Sequence, residues 1–577
     1  MRRAGLFAAA LLAVALPAAA QRQEQARLHR AKALGISLAV DDTWPPVGPG
    51  VLYPVRIELV NEGGQDRRVA IRWQGQIQPD EVRRELVLSA GETARFTLLV
   101  PRAGRHMVPE LSVEVDGEEV KELRDEMRGW YNIESEAEYG PGRARGHGIL
   151  LVEDGVPDLR GINALYSMEA RWIVHLTPDR LSEKWQAYDG LQIIAVNAKV
   201  WPRLAPEHSR AILSAVRAGG TLVLFGDPGA GGPVDGRLGL GRVKVWSEDP
   251  YSKTGTAWVQ EPPEREGKRL VEKSFRIPGV GEIPLNGLRV TLFVFVVLVG
   301  PVNILVTAYL LKKRALLLVT TPALALLGSG ILLVLSFVSE GFSVRSRTVS
   351  WTWLDRENDL AIIRSESVLY AGLAPSEGLV FDPGTAVHAI DRSVVLEEWD
   401  RKPSPYGYPH HYGYPYGEPE ESGRAYEIDW SEGQALRSGG LPSRRLTWLF
   451  TGQVVPVRAE LVLEKTGDGG YELVNGLPVA IRSGYVVRSS SAVLGRSDLW
   501  HLQGPVEPGG RGSLAPGGPS SRLPEDVPAW VGREVAKEPG EFFVVLSSNP
   551  WLDLGLEETE AEEDFHFLSG RLEFPGP

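Results

Sequence analysis

The longest apolar stretches of the chain are two adjacent runs near its middle. The first, Val290–Leu311, has about 22 residues and the second, Ala315–Val338, about 24, and a helix needs roughly 20 to cross the core of a bilayer. The pattern therefore predicts two membrane-spanning helices that form a hairpin over residues 290–338. The rest of the chain divides into the two regions that flank this hairpin.

A basic triplet between the two runs predicts the orientation of the hairpin. It consists of Lys312, Lys313 and Arg314, and short basic loops stay on the cytoplasmic side of a membrane. The first helix is therefore expected to run inward and the second outward. Both flanking regions, residues 21–289 and 340–577, are then expected on the outer side.

The polar residue Asn303 lies within the first apolar run and has two interpretations. Intramembrane polar side chains can mark transport paths, but neither run contains a charged residue or a histidine. Two helices also cannot enclose a pore by themselves. A hydrogen bond between the two helices is therefore favoured. Gly328 and Gly330 in the second run offer a surface on which the helices of a partner protein could pack.

The start of the chain follows the pattern of a secretory signal. Arg2 and Arg3 precede an apolar centre, Leu6–Leu16, and a group of small residues, Ala18–Ala20. An apolar run of this length is typical of a signal peptide, here over residues 1–20, and the alternative is an uncleaved anchor. Both interpretations place the following region outside the cytoplasm, in agreement with the basic triplet.

Apolar and polar residues alternate with a period of two over residues 36–125. Val55–Leu59, Val69–Trp73 and Leu111–Val115 show this alternation, and the turn signal Asp116-Gly117 follows the last of them. Regular short strands of this kind predict an antiparallel β-sandwich that resembles immunoglobulin or fibronectin modules. Such modules usually hold or present something and rarely catalyse.

The pattern changes near residue 146 to continuous apolar runs that alternate with helical periodicity. The runs Ile149–Val152, Leu191–Val196 and Thr221–Phe225 predict buried strands, and a helix is expected to begin at Pro206. Continuous apolar strands that alternate with helices are typical of a parallel sheet covered on both faces.

Part of this region resembles a known family. Tyr188–Leu191 before a strand, Ala218–Gly220 after an amphipathic helix, and Leu222–Gly226 resemble the class I glutamine amidotransferase-like fold over residues 146–250. The amidotransferases of that family place a cysteine nucleophile on a strand-to-helix elbow, whereas this chain contains no cysteine and no Gly-x-Ser-x-Gly elbow in its place. The resemblance therefore implies a catalytically inactive version of the fold, kept for binding.

The carboxyl ends of parallel strands are where such sheets bind ligands. Asp154, Asn197 and Asp227 follow three of the predicted strands and would be the polar groups of a ligand crevice there; solvated loop residues are the alternative. Gly226–Gly232 is rich in glycine, but the lysine and the serine or threonine that a phosphate-binding loop requires do not follow it. A flexible loop is the favoured interpretation of that segment.

The hairpin sequence carries a second resemblance. Gly300–Asn303, Leu310–Arg314 and Thr320–Pro322 are similar to a group of uncharacterised bacterial envelope membrane proteins. Those proteins combine a signal peptide, an extracytoplasmic sandwich, an amidotransferase-like domain, this hairpin and a β-rich end. The resemblance implies a place in the cytoplasmic (inner) membrane of a bacterium, with most of the chain on the periplasmic side and with protein partners in the envelope.

Strand patterns resume after the hairpin, in residues 340–577. Ala459–Leu463, Tyr471–Val474 and Phe542–Leu546 are the clearest of them, and together they predict a second β-sandwich. A segment of low complexity over residues 402–423 cannot bury enough apolar surface to fold alone, so an exposed loop or linker is expected there. The expected fold class is therefore multidomain α/β plus all-β, with two transmembrane helices.

Composition excludes several kinds of chemistry. With no cysteine, the chain cannot form disulfides, cysteine-ligated zinc sites, iron–sulfur centres or thiol nucleophiles. A net charge of −12 gives no basic surface for nucleic acid. His410-His411 lacks a third ligand at a suitable spacing, and the acidic run Glu557–Asp564 lacks the glycine turn of a calcium loop. No catalytic residue, cofactor or metal is therefore expected.

Three classes of function are compatible with these features. The favoured one is a non-catalytic, membrane-anchored scaffold or binding protein of the cell envelope. A hydrolase or glycan-active enzyme using carboxylates is the first alternative, and two carboxylates together in one crevice of residues 146–250 would favour it. An accessory or transducing subunit of a membrane complex is the second, since the cytoplasmic part is too small for a signalling domain of its own.

Overall fold

The structure of the protein is a computed structural model. It describes residues 28–41, 44, 52–74, 81–101, 110–123, 148–153, 172–191, 193–229, 232–246, 277–278, 280, 285–390, 427–467, 469–491, 496–517 and 538–574. This part of the chain is mostly β-sheet, with several sheets and few helices, which is compatible with the predicted combination of α/β and β regions. The predicted signal peptide (1–20), the low-complexity segment (402–423) and Asp154 lie outside the described residues.

The amino-terminal region is built from two sheets. The first is antiparallel and contains four strands in the order β1-β2-β3-β6. Alternate residues of β2 and β3 are buried, as the period of two predicts. The four strands are β1 (Leu28–Ala33), β2 (Ile36–Asp41), β3 (Leu52–Asn61) and β6 (Thr93–Pro101).

The second sheet combines residues from both sides of the helical hairpin. Four of its strands precede the hairpin: β4 (Arg67–Gln74), β5 (Glu81–Leu88), β7 (Glu110–Val115) and β8 (Glu118–Glu119). Three follow it: β17 (Leu379–Phe381), β19 (Glu427–Asp429) and β20 (Gln434–Leu436). The sheet order is β17-β20-β19-β5-β4-β7-β8, and β19 pairs with β5 in parallel. The period-two region is thus extended by three short strands from the distant half of the chain.

Residues 148–246 form a six-stranded sheet in the order β10-β9-β11-β12-β14-β13, parallel except at its edge strand β13. Ile149 and Leu151 of β9 pack in one buried cluster, whereas Leu150 and Val152 pack in another. Both faces of the sheet are therefore covered, as the continuous apolar runs predict. The elements are β9 (Gly148–Val152), β10 (Trp172–Leu176), β11 (Ile193–Asn197), helix α1 (Pro206–Arg217), β12 (Thr221–Phe225), β13 (Gly236–Leu238) and β14 (Gly241–Trp246).

The apolar middle of the chain is helical. Helix α2 (Leu285–Val297) continues through two π-helical segments, Leu298–Val302 and Leu305–Leu310, the first of which contains Pro301, a residue that cannot donate an intrahelical hydrogen bond. Helix α3 (Leu317–Glu340) contains 24 residues.

Among the described residues, one helix, Leu292–Leu310, is long and apolar enough to cross a membrane. A second apolar helical stretch, Arg314–Gly330, is shorter. The second membrane span therefore stays a prediction.

A twelve-stranded sheet follows the hairpin, and three residues separate its first strand from the end of α3. Its main path is β18-β21-β16-β15-β29-β27-β24-β25-β26-β23-β22, with β28 beside β15. The strands are β15 (Val344–Asp355), β16 (Leu360–Ala371), β18 (Ala386–Ile390), β21 (Leu446–Pro456), β22 (Glu460–Lys465), β23 (Tyr471–Gly476), β24 (Ile481–Ser491), β25 (Arg496–Leu502), β26 (Arg511–Pro516), β27 (Glu541–Leu546), β28 (Glu560–Ala561) and β29 (Phe565–Arg571).

One hydrophobic cluster joins the three β-containing regions. It includes Ile57 from the amino-terminal sandwich, Tyr188 from the parallel-sheet region and Leu379 from the strands after the hairpin. Polar contacts accompany it, since Trp185 Nε1 donates to the carbonyl of Gly384 at 2.8 Å. The regions that the patterning separates into domains therefore share a core.

Candidate functional site

The carboxyl edge of the parallel sheet holds the predicted crevice residues that the structure describes. Asn197 ends β11 and lies in register with Phe225 of the neighbouring strand β12, and the exposed Asp227 follows two residues later. Asn197 Oδ1 accepts from the backbone N–H of Lys199 at 3.0 Å, and Asp227 Oδ1 accepts from that of Gly229 at 2.9 Å. The two side chains share the predicted edge, but each also stabilises its own turn.

A buried carboxylate at the same edge was missed by sequence reasoning. Glu153 directly follows β9, is only 9% exposed, and its N–H lies 3.4 Å from the carbonyl oxygen of Leu176 at the end of β10. The sequence signal for it is an acidic residue immediately after a continuous apolar run, next to the predicted crevice residue Asp154. Glu153 therefore adds a carboxylate to the polar groups at this edge.

The residues that the structure describes contain no group of three or more His, Asp or Glu side chains placed to hold a metal ion. The chemistry that this edge offers is hydrogen bonding from amide and carboxylate groups. It can therefore hold and orient a small polar ligand, and a covalent step would need a nucleophile from elsewhere.

Ser350, His566 and Asp564 form an arrangement that resembles a nucleophile triad. Ser350 Oγ lies 2.8 Å from His566 Nδ1, and His566 Nε2 lies 3.7 Å from Asp564 Oδ2. Ser350 is 0% exposed, however, and its hydroxyl also accepts from Asn549 Nδ2 at 3.0 Å. A substrate cannot reach this oxygen, so the arrangement is structural.

The same face of the large sheet carries a buried network of hydroxyl groups. Thr348 Oγ1 donates to Ser367 Oγ at 3.1 Å, and the hydroxyls of Ser365 and Thr451 lie 2.7 Å apart. All four residues are fully buried. Buried hydroxyls that are all hydrogen-bonded stabilise one specific register of the strands.

The segment that contains the acidic run covers part of this network. Asp564 Oδ1 accepts from the N–H of Thr348 at 2.7 Å, and Gln453 Nε2 donates to the carbonyl of Asp553 at 2.8 Å. Glu557, Glu558 and other carboxylates of the run remain exposed. The run therefore combines a solvated face with a few inward contacts.

A cationic cluster lies where the amino-terminal sandwich meets the parallel-sheet region. Lys184 Nζ lies 4.3 Å from the ring centroid of Trp430, and the Arg84 guanidinium lies 4.1 Å from that of Phe96. Burial, with repulsion from Arg84, lowers the pKa of Lys184 to about 8, and the nearby Glu183 partly opposes this shift. No sequence pattern joins these residues, because they come from separate elements.

Replacing Lys184 by methionine tests this environment through the pH dependence of stability. The folded protein releases the Lys184 proton near pH 8, whereas the unfolded chain retains it to about pH 10.5. Because the unfolded chain then binds more protons, this lysine makes stability rise as the pH increases through that window. Urea unfolding at several pH values should show a smaller rise for Lys184→Met than for the parent protein. A variant of the exposed Lys199, Lys199→Met, is the control and should keep the parent slope; equal slopes in all three proteins would contradict the prediction.

Ion pairs fasten the parallel-sheet region to the large sheet. Arg217 Nε lies 3.3 Å from Asp355 Oδ2, and Arg237 Nη1 lies 2.7 Å from Glu541 Oε1. Glu541 is buried, and the Arg237 guanidinium also lies 4.4 Å from the ring centroid of Trp353. A buried carboxylate needs such a partner, so these contacts fix how the two regions dock.

A polar contact joins the two helices of the hairpin. Asn303 Nδ2 donates to Thr321 Oγ1 at 3.1 Å, and Thr320 Oγ1 donates to Asn303 Oδ1 at 2.9 Å. The predicted interhelical hydrogen bond of Asn303 is thus confirmed. It satisfies both ends of the amide within the hairpin, and a polar group in an apolar setting needs such partners.

The small residues of α3 differ in their surroundings. A methyl group at Gly328 would overlap the Phe295 ring, whereas nothing lies near the corresponding position of Gly330. Gly328 therefore serves packing between the two helices of this chain and is not a surface for a partner helix. At the other end of the helices, Lys312, Lys313 and Arg314 are all exposed in the turn between them.

Comparisons with known proteins give no family for the chain. No family model matches it, and no curated protein matches it. Among solved structures, it is similar to the yeast delta-COP-I mu-homology domain complexed with a Dsl1 WxWxV peptide, with 9% identity and a TM-score of 0.15 over 40% of this chain and 95% of that one.

The same domain without the peptide gives 8% identity and a TM-score of 0.16 over the same shares. A calcium-binding mutant of Bacteroides uniformis beta-glucuronidase 2 gives 10% identity and a TM-score of 0.12 over 39% of this chain and 24% of that one. Similarities this weak carry no argument about the function of the chain.

Proposed function

We propose that the protein is a non-catalytic scaffold or binding protein of the bacterial cell envelope, anchored in the cytoplasmic membrane by its helical hairpin. The observation that carries this proposal is the pairing of β5 with β19. Glu81, Val82 and Arg83 lie in register with Glu427, Ile428 and Asp429, and the whole hairpin separates these two strands in sequence.

This pairing constrains how the chain crosses a membrane. Adjacent strands lie about 5 Å apart, so β5 and β19 must be on the same side of any bilayer that the hairpin enters. The hairpin must then cross an even number of times, which is what two spanning helices achieve. The exposed basic turn at residues 312–314 supports a cytoplasmic position for the tip.

The polar side chains at the carboxyl edge of the parallel sheet support a binding role. Its carboxyl edge carries Glu153, Asn197 and Asp227, the types of group that orient a polar ligand. The chain has no cysteine for the nucleophile position of the family it resembles. The resulting function is to hold a ligand or partner at the outer face of the membrane, with the sandwich and the large sheet as a rigid support.

Single cysteines test the topology, and the absence of native cysteine removes any background. Gln65→Cys and Glu357→Cys place exposed thiols before and after the hairpin, and Lys313→Cys places one at its tip. In intact spheroplasts, a membrane-impermeant maleimide should label the first two variants and not the third. Permeabilisation should expose Lys313→Cys to the reagent. Labelling of Gln65→Cys and Glu357→Cys from opposite sides would overturn the proposal.

A further inference from the structure

We infer that the end of the large sheet from which the hairpin leaves lies in the interfacial layer of the outer leaflet, with Phe342 and Leu373 inserted there. The partner is the lipid bilayer itself, and the contact fixes the tilt of the extracytoplasmic body on the membrane. This inference rests on the proposed anchoring by the hairpin. The side chains of Phe342 and Leu373 are 64% and 58% exposed.

The two apolar residues are held side by side by the backbone. Phe342 lies in the short link between α3 and β15, and Leu373 lies two residues beyond the end of β16. The N–H of Gly372 donates to the carbonyl of Ser343 at 3.2 Å. A side-chain carbon on Gly372 would come within 3.1 Å of Phe342 Cα, so the backbone immediately before Leu373 lies against the backbone at Phe342.

Both ends of the hairpin attach to the same end of the sheet. On the entry side, Ile277 and Val280 pack in a buried cluster with Val368 and Tyr370, close to the end of β16. On the exit side, β15 begins at Val344, in register with Ala371. The chain segments on both sides of the hairpin thus contact the same end of the sheet, and this end stays close to the helices.

The length of the exit link places Phe342 at the depth of the lipid headgroups. Phe342 follows the last residue of the apolar run, Val338, by four positions. Two helical steps rise about 3 Å, and the two steps that follow advance less than an extended chain would, because Gly341 has a φ of 74°. Phe342 therefore lies less than about 10 Å beyond the end of the apolar run, within reach of the headgroup layer. The headgroup layer on each side of the apolar core is roughly 5–8 Å deep. Exposed apolar side chains at this level are removed from water when they enter the interface, and this removal is favourable.

Charge does not drive this contact. Arg445 is exposed at the same end of the sheet, but Glu560 of β28 lies there too, with its carboxylate 3.7 Å from Arg345 Nε, and Glu557 and Glu558 are exposed nearby in sequence. These acidic groups oppose any attraction to anionic lipids. The contact is therefore apolar, and it should form equally well on zwitterionic lipids.

Depth-dependent quenching in vesicles tests the inference. Leu373→Cys, Val87→Cys and Val296→Cys are each labelled with an environment-sensitive nitrobenzoxadiazole maleimide and reconstituted in phosphatidylcholine vesicles. Val87 is a comparably exposed residue (65%) in β5, and Val296 is an exposed residue of α2 (57%). Lipids with a doxyl group near the headgroup should quench the label at position 373 several-fold more than that at 87. Lipids with a deep doxyl group should quench the label at 296 most.

The outcomes separate the two proposals. If the label at 296 is quenched but the label at 373 is quenched no more than that at 87, the sheet end does not touch the bilayer and only the present inference fails. If the label at 296 is not quenched, the hairpin does not enter the bilayer, and both fail. Added phosphatidylglycerol should leave the quenching at 373 unchanged; a several-fold increase would replace apolar insertion by electrostatic attraction.

Discussion

Replacing Trp430 by alanine is expected to lower the free energy of unfolding by about 3–5 kcal/mol, the cost of removing a large buried aromatic side chain. The Trp430 side chain is 5% exposed and belongs to the cluster that joins the three regions. Its Nε1 donates to the carbonyl of Leu99 at 3.1 Å. Leu99 lies in register with Pro54, which has no N–H to offer this carbonyl. The substitution thus removes packing and a hydrogen bond together.

Urea unfolding in detergent, followed by far-ultraviolet circular dichroism, measures this loss. Trp430→Phe is the matched control, because it keeps an aromatic ring and removes the indole N–H. It should lower the free energy of unfolding by about 1–2 kcal/mol, which is less than the loss expected for the alanine variant. A loss below about 1 kcal/mol for Trp430→Ala would show that residues after the hairpin contribute little to the amino-terminal core.

Two fragments, residues 1–312 and 313–577, are expected to assemble when they are produced together as separate chains. The break lies in the exposed turn between the helices, where Lys312 has a left-handed φ of 52°, and breaks at exposed turns are well tolerated. The fragments share the β5–β19 pairing and the common core, so the assembly does not depend on the peptide bond. An affinity tag on one fragment should recover the other in mild detergent.

Trp430→Ala in the second fragment supplies the control for this experiment. It should reduce the recovery of the first fragment, because Trp430 contacts Leu99 across the junction. Trp500 packs in a separate cluster that is formed only by residues after the hairpin. Trp500→Ala in the second fragment should therefore leave the recovery of the first fragment unchanged. Full separation of the unsubstituted fragments would contradict a shared core.

Elements with a strong local pattern were predictable from the sequence. The continuous apolar runs of β9, β11 and β12 identify a parallel sheet, because the apolar residues of these strands are buried on both faces of the sheet. The position of Asn197 and Asp227 at one edge follows from the geometry of parallel strands. The hydrogen bond of Asn303 follows from the shortage of polar partners in an apolar helix.

Features that depend on distant pairing were not predictable. Strands β17, β19 and β20 have three residues each, which is too short for a periodic signal, and β19 finds its partner far away in sequence. The alternation of Ser and Thr along β15 resembles a solvent-facing strand, yet the segment after β27 covers it. The environment of Lys184 likewise exists only once three elements meet.

The β5–β19 pairing also sets an order of events during synthesis. Glu85 donates its N–H to Ser431 Oγ at 2.9 Å, although the two residues are 346 positions apart. At about 5–20 residues per second, the ribosome needs on the order of 20–70 s to make the intervening chain. During that interval the edge of β5 has no partner strand, and open edges promote aggregation. The edge of β5 that receives β19 therefore stays open until the chain beyond the hairpin has been made, so the newly made protein is most prone to aggregation during this interval.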